Sequence, residues 1–555
     1  MKYIKRFSKY LIFFLVVLFV ISFFTSLGYK KLENNNKLQK YYKKGVYHNH
    51  SVFSDGRGDI DEITKDAKKV GIDFVILTDH GEPNLDSSSS TQYLNNVLLI
   101  GGSELSLECG HMTVMGYYPI DYRFSIHPQE AINEVIENNG VCFVAHPFDK
   151  RIPWTDWKIE NFTGIEILNS YSEAMKMNPL KFFLFPFEYL INSENFMLSI
   201  VKYPYKNIKK WNEFLRKGKY FAIYALDAHS KLEITEKFYF AFPSYEMFFK
   251  LFNLYVKIDK DFSDNAKNDS DLILDALKRG NFFNVIELIA FANGFEAFFV
   301  DNENNVYDMG ETVKSENGEI VVKLPFDFKT DVFLKSNNRV VKEVLNNKEK
   351  ELRFRINKRG IYWIEVFARD SKYNDIPWIL TNPFFIDIDY KREVINKNYV
   401  LNNFDIYNKF HMEKNKSSSA KISLNGNTIV LEYELVKDKN LKDFWIALSI
   451  RENFDLSKYD GIEFKASSLK PMKYWFELRT GKGDNELWFR RSFNLNKEER
   501  VVRLFFKDFY LYNKKNGTLN LKDITSLFIS INNVIAYNGT NGKLIIKDFK
   551  LIGEE

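Results

Sequence analysis

The feature that most constrains the fold is an alternation of short apolar runs with helical patterns between residues 45 and 290. Four runs are apolar on both faces, as expected for buried strands: DFVILTDH, VCFVAHPF, GIEILNS and YFAIYALDAH. Helices are predicted between them by the apolar spacing in GDIDEITKDAKKVG and by the Pro and Gly that bound HPQEAINEVIENNG. This order predicts parallel strands in an α/β barrel or a layered sheet.

The chain changes to β alternation after residue 290. EIVVKLPF, TDVFLKS, ELRFRI and IYWIEVFA predict a β-sandwich over residues 291–390. Beyond the polar stretch KNKSSSA, runs such as TIVLEYEL, KYWFELRT and KLIIKDFKL predict a second all-β domain over residues 398–555. Three folded domains also suit the length, because 555 residues are too many for one hydrophobic core.

The N-terminus has the layout of a membrane anchor. Residues 1–10 are basic, residues 11–29 form an uncharged apolar run long enough to span a bilayer, and residues 30–44 predict a polar stalk. Because the denser basic cluster precedes the run, we expect residues 1–10 in the cytoplasm and the body outside a cell membrane crossed once. A signal peptide, with secretion after cleavage, is the alternative, although no small-x-small cleavage site is evident.

A second apolar segment, residues 180–206, interrupts the strand–helix alternation. Glu188, Glu194 and several Asn and Ser residues break its apolar run, which argues against a second membrane-spanning helix. We expect a lid or an amphipathic insertion here. Contact of this segment with a membrane surface is a further alternative.

Charge and cysteine content exclude two other classes of protein. Residues 1–44 hold ten Lys or Arg against one acid, a net of +9, so the rest of the chain carries about −4 of the total of +5. A nucleic-acid footprint on the main body is therefore not supported. Only Cys109 and Cys142 are present, both in apolar runs, and they are interpreted as small buried residues rather than a disulfide framework.

Histidines and carboxylates gather where the apolar runs end. In the stretch VYHNHSVFSDG, His48 and His50 are one residue apart and point to the same face of a strand. The strand ends of an α/β barrel converge on one face, where so many ionisable groups require cations. Imidazole with carboxylate suits Zn, Mn or Fe rather than Ca or Mg alone. The candidate ligands are His48, His50, Asp55, His80, Glu104, His111, His146, Asp227 and His229.

The two remaining histidines, His127 and His411, are interpreted as structural residues. His127 precedes Pro128 at the start of a predicted helix, and His411 lies in a β-domain loop. A lone histidine is more often hydrogen-bonded than metal-bound. Chance does not readily explain the nine candidate ligands, which recur at the ends of successive apolar runs.

As an ordered set, YHNHSVFSDG, ILTDH, GSE, GH, AHPF and LDAH resemble the motifs of the PHP (polymerase and histidinol phosphatase) superfamily. The resemblance implies a distorted seven-stranded barrel over 45–290 that holds up to three metal ions. By position it implies one ion held by His48, His50, Glu104 and Asp227. A second would be held by Glu104, His111 and His146, with Glu104 bridging, and a third by Asp55, His80 and His229.

Two further resemblances concern the rest of the chain. WNEFLRKGKYFAIYALDAH, ALKRGNFF and PWILTNPFFI are similar to PHP hydrolases of the carbaryl-hydrolase-like group. Residues 398–555, from LNNFD to GKLIIKDFKL, resemble a carbohydrate-binding jelly roll. Trp445, Trp475 and Trp488 are candidate sugar platforms or core residues, and core packing is favoured.

The resemblance to the PHP superfamily implies hydrolysis by a metal-activated water. Glu104 and Asp227 would hold the metals and the water. Asp79 is either a ligand-orienting group and proton acceptor or a loop-capping carboxylate. Arg57, Lys150 and Arg151 are candidates for binding an anionic substrate, or else solvated surface charges.

These observations leave three hypotheses for the function of the protein. The first is an anchored metallophosphoesterase that acts outside the membrane, with the β domains placing it on cell-surface glycan or phosphopolymer. The second is hydrolysis of a carboxylic ester, carbamate or amide at the same site. The third is a surface glycan-binding protein whose barrel is only a scaffold.

Overall fold

Buried apolar runs form the strands that carry the candidate ligands. A computed structural model describes residues 2–117, 120, 122–235, 238–240, 242–388, 390, 399–436 and 443–554. The chain divides into two compact units, residues 1–118 with 126–390 and residues 119–125 with 391–555. The described helices are α1 (Lys2–Ser26), α2 (Ile60–Lys69), α3 (Leu85–Ser88), α4 (Pro128–Glu137), α5 (Ser170–Met175), α6 (Pro179–Ser199), α7 (Tyr205–Leu215), α8 (Tyr245–Phe249) and α9 (Ala266–Arg279).

The strands of the first unit belong to four sheets. They are β1 (Tyr42–Asn49), β2 (Phe74–Leu77), β3 (Gln92–Leu94), β4 (Val97–Ile100), β5 (Gly102–Leu107), β6 (Gly110–Met115), β7 (Val141–Val144), β8 (Gly164–Asn169), β9 (Phe221–Ala225), β10 (Leu232–Thr235), β11 (Phe238–Phe240), β12 (Phe252–Lys257), β13 (Phe282–Ile286), β14 (Glu296–Asp301), β15 (Val306–Tyr307), β16 (Thr312–Val313), β17 (Gly318–Lys323), β18 (Thr330–Ser336), β19 (Arg339–Asn347), β20 (Glu351–Ile356), β21 (Gly360–Ala368), β22 (Ile379–Thr381) and β23 (Phe384–Ile386).

The four predicted buried strands are confirmed as β2, β7, β8 and β9, and the two predicted helices as α2 and α4. Helix α2 begins where the Asp59 side chain accepts a hydrogen bond from the amide of Glu62, and α4 begins at Pro128.

The strands that carry the candidate ligands are parallel only in part. β1, β2 and β4 run parallel, as do β7, β8 and β9, but β5–β6 and β6–β7 are antiparallel. The turn between β5 and β6 is too short for a crossover helix, so these two strands reverse direction.

Two sheets bring the candidate ligands together. One runs in the order β16-β23-β21-β22-β13-β12-β1-β2-β4-β3, and the other in the order β5-β6-β7-β8-β9. Isolated parallel bridges between His80 and Glu104 and between Asn49 and Ala228 join them. The C-terminal ends of β1, β2 and β9 therefore meet at one place, next to Glu104 within β5.

The expected boundary at residues 290 and 291 does not separate two compact units. Strand β22 pairs with β13, so residues from both predicted domains share one sheet. The remaining strands β14, β15, β17 and β20 form a separate antiparallel sheet within the same unit. Local alternation predicts each strand but not its sheet, because sheet membership depends on long-range pairing.

The N-terminal helix and the residues of the predicted polar stalk differ in extent and surroundings from a simple anchor with a spacer. Helix α1 already begins at Lys2, and its residues 6–26 are long and apolar enough to span a membrane or to act as a signal sequence. Residues 30–44 are bound along the body instead of extending from it. The Asn34 side-chain amide donates to the carbonyls of Phe291 and Asn293 at 2.9 Å, and β1 begins at Tyr42.

The apolar insertion over residues 180–206 is mostly helical, which by itself decides neither the lid nor the amphipathic role. Helix α6 is broken by non-helical backbone at Asn192 and contains Pro186, and α7 follows it. The carboxylate of Glu188 is buried in a pair with Lys181, so the polar residues in this segment have partners.

The second unit is all β, as expected. Its strands are β24 (Tyr399–Asn403), β25 (His411–Lys414), β26 (Ser419–Asn425), β27 (Thr428–Glu434), β28 (Trp445–Ile450), β29 (Gly461–Ser468), β30 (Met472–Thr480), β31 (Leu487–Leu495), β32 (Arg500–Phe505), β33 (Tyr510–Leu511), β34 (Ile524–Asn532) and β35 (Asn541–Glu554), with short 3₁₀ turns at Tyr407–Lys409, Gly483–Asn485 and Phe506–Asp508. They form two six-stranded antiparallel sheets.

Side chains of the two sheets pack face to face in this unit. The Phe464 ring of β29 lies 5.9 Å from that of Phe476 in β30 and 5.2 Å from that of Phe493 in β31. Trp475 is fully buried, which confirms core packing for that residue, whereas Trp445 and Trp488 are half-buried. The arrangement is that of a β-sandwich.

Candidate metal centre

Three candidate ligands have strained backbones where their strands end. His48, His146 and Asp227 have φ angles of 64°, 26° and 54°, in the left-handed region that residues other than glycine seldom adopt. Each such residue costs roughly 1–3 kcal/mol, and this strain is typical of functional sites. His48 lies within an irregularity of the β1–β2 pairing between Val46 and Asn49. The His48 ring lies between Glu166 Oε1 at 2.6 Å and Glu104 Oε2 at 3.3 Å.

The first ligand group consists of buried residues. One donor atom each from His48, His50, Glu104 and Asp227 lie within 4.8 Å of one another, and all four residues are buried. The Nε2 atom of His50 is 3.3 Å from both Glu104 Oε2 and Asp227 Oδ1. That nitrogen has no hydrogen-bond partner of acceptable geometry among the described residues. A buried nitrogen facing two carboxylate oxygens without a hydrogen bond fits a cation between them.

Glu104 lies between two groups of imidazoles. Its Oε1 is 3.0 Å from His111 Nδ1 and 2.9 Å from His146 Nε2. Its Oε2 is 3.3 Å from His48 Nε2 and 3.4 Å from His80 Nδ1. Each oxygen therefore faces its own set of nitrogen donors. This is the arrangement of a carboxylate that bridges two cations.

The third group is more open. His50, Asp55, His80 and His229 bring donor atoms within 4.8 Å of one another, and the Asp55 side chain is about half exposed. The grouping differs slightly from the one the resemblance implies. His50 also faces the third group, and His80 also groups with Glu104 and His111. All nine predicted ligands nevertheless lie at this one junction, which local sequence could suggest but not assign ion by ion.

Imidazoles and carboxylates lie against one another throughout the cluster. Burial alone would lower the pKa of the imidazoles, but the surrounding carboxylates raise the pKa of His50 to about 10 and that of His146 to about 9. The pKa of His48 is also raised well above its usual value. Burial would raise the pKa of Glu104 and Asp227, yet the neighbouring histidines hold both well below their usual range. Bound cations would replace these protons as the positive charge of the site.

Sequence reasoning missed one residue of the site, Glu166. Its Oε1 is 2.6 Å from Nδ1 of His48, and its Oε2 accepts hydrogen bonds from the backbone amide of His146 and the side chain of Asn169. It therefore orients two ligands without itself belonging to a ligand group. The available signal was a carboxylate inside the apolar strand GIEILNS, where an unpaired charge is costly.

The contacts of Asp79 are those of a loop-capping carboxylate. Its carboxylate accepts hydrogen bonds from the amide and hydroxyl of Ser51 at 2.7 and 2.9 Å and from the hydroxyl of Ser54 at 2.7 Å. These bonds shape the loop that carries His50 and Asp55. The structure thus favours a positioning role for Asp79 over proton acceptance.

The three candidate substrate contacts lie in different places. Arg151 lines a cavity of about 250 Å³ at the metal centre, together with Asp149, Tyr171 and seven of the ligands. The Arg151 guanidinium lies 5.0 Å above the Tyr171 ring. Lys150 is exposed and does not line this cavity, and Arg57 pairs with Glu62 on the nearby helix α2. The structure brings only Arg151 to the open side of the centre.

The two other histidines lie outside the ligand groups. The Nδ1 atom of His127 is 2.8 Å from the Glu108 carboxylate, and His411 is an exposed residue of β25. Both cysteines are buried and free, as expected.

Comparisons with known proteins give partial similarities. No family model matches the sequence, and no curated protein matches it. A two-domain protein from Bacteroides vulgatus containing a predicted PHP-like metal-dependent phosphoesterase is 13% identical over 64% of this chain and 98% of that chain, with a TM-score of 0.32. A family 11 carbohydrate-binding module from Clostridium thermocellum is 19% identical over 28% of this chain and 95% of that chain, with a TM-score of 0.22. A family 30 module from the same organism is 13% identical over 26% and 92%, with a TM-score of 0.21.

Proposed function

We propose that this chain is a metal-dependent hydrolase of the PHP type that cleaves phosphoesters. The observation that carries the proposal is Glu104, whose two oxygens each face a separate set of imidazoles. Two or three divalent ions, Zn, Mn or Fe, would be held by the nine converging side chains. Eight of them form the three ligand groups, and Nε2 of the ninth, His146, lies 2.9 Å from Glu104 Oε1. When bound, such ions lower the pKa of a water molecule to near neutral and offset the negative charge that develops during hydrolysis.

The residues of this chain prepare the site in three ways. Glu166 holds Nδ1 of His48, which leaves Nε2 of that ring facing Glu104 and Asp227. Asp79 fixes the loop between His50 and Asp55 through its hydrogen bonds to Ser51 and Ser54. The backbone strain at His48, His146 and Asp227 is retained because packing and these bonds hold the ligands in place.

Phosphoesters are favoured over neutral esters because of the charge at the open side of the centre. The Arg151 side chain lines that side and offers a planar set of donors that matches phosphate oxygens. Hydrolysis of a carboxylic ester, carbamate or amide, as in the carbaryl-hydrolase-like group, is the alternative chemistry for the same ligands. Arg151 gives it less support, since its reacting carbonyl carries no full negative charge.

The architecture we propose around the site is the distorted seven-stranded barrel. Its strands would be β1, β2, β5, β6, β7, β8 and β9, closed by the bridges at His80–Glu104 and Asn49–Ala228. We further propose that α1 anchors the chain in a cell membrane with the body outside, and that the second unit positions it on cell-surface glycan or phosphopolymer. The apolar length of α1 supports the anchor.

The test is a panel of phosphomonoesters, phosphodiesters, carboxylic esters and carbamates given to the full chain after chelation and reloading with Mn or Zn. We expect metal-dependent turnover of phosphoesters, and a loss of more than about 100-fold in His50→Ala and Asp227→Ala. His127→Ala is the matched control, because His127 lies outside the ligand groups. Turnover of none of these compounds, together with glycan binding, would favour the scaffold function instead.

A further inference from the structure

An apolar cavity of about 260 Å³ adjoins the cavity of the metal centre. Tyr171 and His229 belong to the walls of both, so the two spaces meet at these side chains. Each alone is smaller than most ligand pockets, whereas the two together fall in the usual range of roughly 300–1,000 Å³. The proposed hydrolysis does not by itself explain the apolar part.

The wall of this cavity is made mostly of aromatic and thioether side chains. The Phe185 ring lies 5.9 Å from that of Phe196 and 5.5 Å from that of Phe242. Met175 and Met177 line it as well, and methionine adapts its shape to flexible apolar ligands. Apart from the phenol of Tyr171, the ionisable groups in the wall are His229 and Lys231. Such a surface suits a hydrocarbon chain better than a sugar or a peptide.

Helix α6, which supplies Phe182, Phe185, Phe196 and Met197 to this wall, also packs along the apolar helix α1. The Ser22 hydroxyl donates to the carbonyl of Leu184 at 3.4 Å. The Thr25 hydroxyl donates to Glu188 at 2.8 Å. Small hydroxyl residues at such a contact allow close helix packing and satisfy polar groups without water.

The outer side of the same helix is exposed and apolar. Leu180, Phe183 and Leu190 are 61%, 59% and 83% exposed. Most of the apolar side chains of α1 are exposed as well. A soluble protein seldom leaves so large an apolar surface in water. If α1 lies in a membrane, the part of α6 packed against it lies at the membrane surface, and the cavity wall is continuous with the bilayer.

We propose that the substrate is a membrane-embedded amphiphile, with a phosphoester head at the metal centre and an alkyl chain in the apolar cavity. This inference rests on the proposed function and names its substrate class. The oxygen of water forms a new bond to phosphorus, and the bond from phosphorus to the alcohol oxygen of the amphiphile breaks. One proton of that water passes to the alcohol and the other stays on the released phosphate.

The experiment measures hydrolysis of a series of n-alkyl phosphates, from ethyl to dodecyl, by the full-length, Mn-loaded protein in a nonionic detergent. We expect kcat/KM to rise about fourfold per methylene, as each enters the cavity, and then to reach a plateau. The wall variant Phe182→Glu should reduce the ratio of decyl to ethyl turnover at least about tenfold. Leu190→Glu places the same charge on the same helix away from the cavity, and should leave the series unchanged.

A second variant tests the cavity without adding charge. Half-buried Ala174 lines it, so Ala174→Phe should shorten the space and move the plateau to shorter chains. Equal turnover of ethyl and decyl phosphate, or equal behaviour of Phe182→Glu and Leu190→Glu, would overturn the substrate class while the phosphoesterase stands. Metal-dependent turnover of other esters but of no phosphate ester would instead refute the phosphoesterase, and this inference with it.

Discussion

Glu166 Oε1 lies 2.6 Å from Nδ1 of His48, and neither side chain is exposed to solvent. The contact fixes the orientation of the ring that directs Nε2 toward Glu104. Removing the charge but keeping the shape, in Glu166→Gln, should weaken metal affinity about 10–100-fold while the fold is kept. Competition with a fluorescent chelator measures this, and Glu160→Gln, an exposed residue nearby, is the control. Equal affinity in both variants would contradict the orienting role.

Loss of the bridging carboxylate should reduce the number of bound metal ions. In Glu104→Gln an NH₂ group replaces one carboxylate oxygen, so the side chain keeps a single oxygen and cannot bridge two cations. We therefore expect at least one ion fewer per chain than in the unmodified protein. Elemental analysis of the purified full chain gives this number. Glu108→Gln changes a carboxylate that pairs with His127 and should leave the metal content unchanged. Unaltered metal content in Glu104→Gln would exclude bridging.

The metal-free protein should lose stability as the pH rises from about 6.5 to about 10. The folded state raises the pKa of His50 to about 10 and of His146 to about 9, above the unfolded value of roughly 6.5. The stabilisation is therefore fully present below pH 6.5 and is lost as the folded groups deprotonate. Melting curves in EDTA across this range test the sign, and His146→Gln should flatten the slope. A rising melting temperature over the same range would refute it.

Metal affinity should follow the opposite trend. Because the ions must displace protons from His50 and His146, binding releases protons and strengthens as the pH rises toward about 9. Calorimetric titration with Mn in buffers of different ionisation enthalpy gives the number of protons released. Affinity independent of pH would mean that these imidazoles are already neutral in the metal-free protein.

Arg151 should contribute to binding of anionic substrates. Its guanidinium lines the open side of the centre, so Arg151→Ala should raise KM for a phosphoester about tenfold with a smaller effect on kcat. Lys150→Ala removes the neighbouring charge, which does not line the cavity, and should change neither constant by much. A similar rise in KM in both variants would point to long-range charge attraction instead of contact.

Helix α1 should remain on the mature chain. Its Ser22 and Thr25 side chains bond to α6, so cleavage after α1 would expose Glu188 and the cavity-lining helix. Intact mass measurement of the membrane fraction should therefore give the full-length chain. A mature N-terminus beyond residue 26 would establish a cleaved signal sequence.

Much of this site could be predicted from local sequence. Apolar runs gave the positions of β2, β7, β8 and β9, because complete burial of a strand leaves a continuous hydrophobic pattern. Ligand candidates such as His80 and Asp227 were recognisable as polar residues directly after those runs. The motif order then suggested a common metal centre, and all nine candidates do lie together.

Only the tertiary structure decided how those residues are grouped and supported. That Glu104 faces two sets of imidazoles, and that Glu166 orients His48, depends on β1, β5 and β8 meeting at the junction of two sheets. The sharing of one sheet by β13 and β22, and the place of α6 between α1 and the apolar cavity, likewise depend on contacts between residues far apart in the chain. Sequence periodicity reports which side of an element is buried, whereas long-range pairing determines what it is buried against.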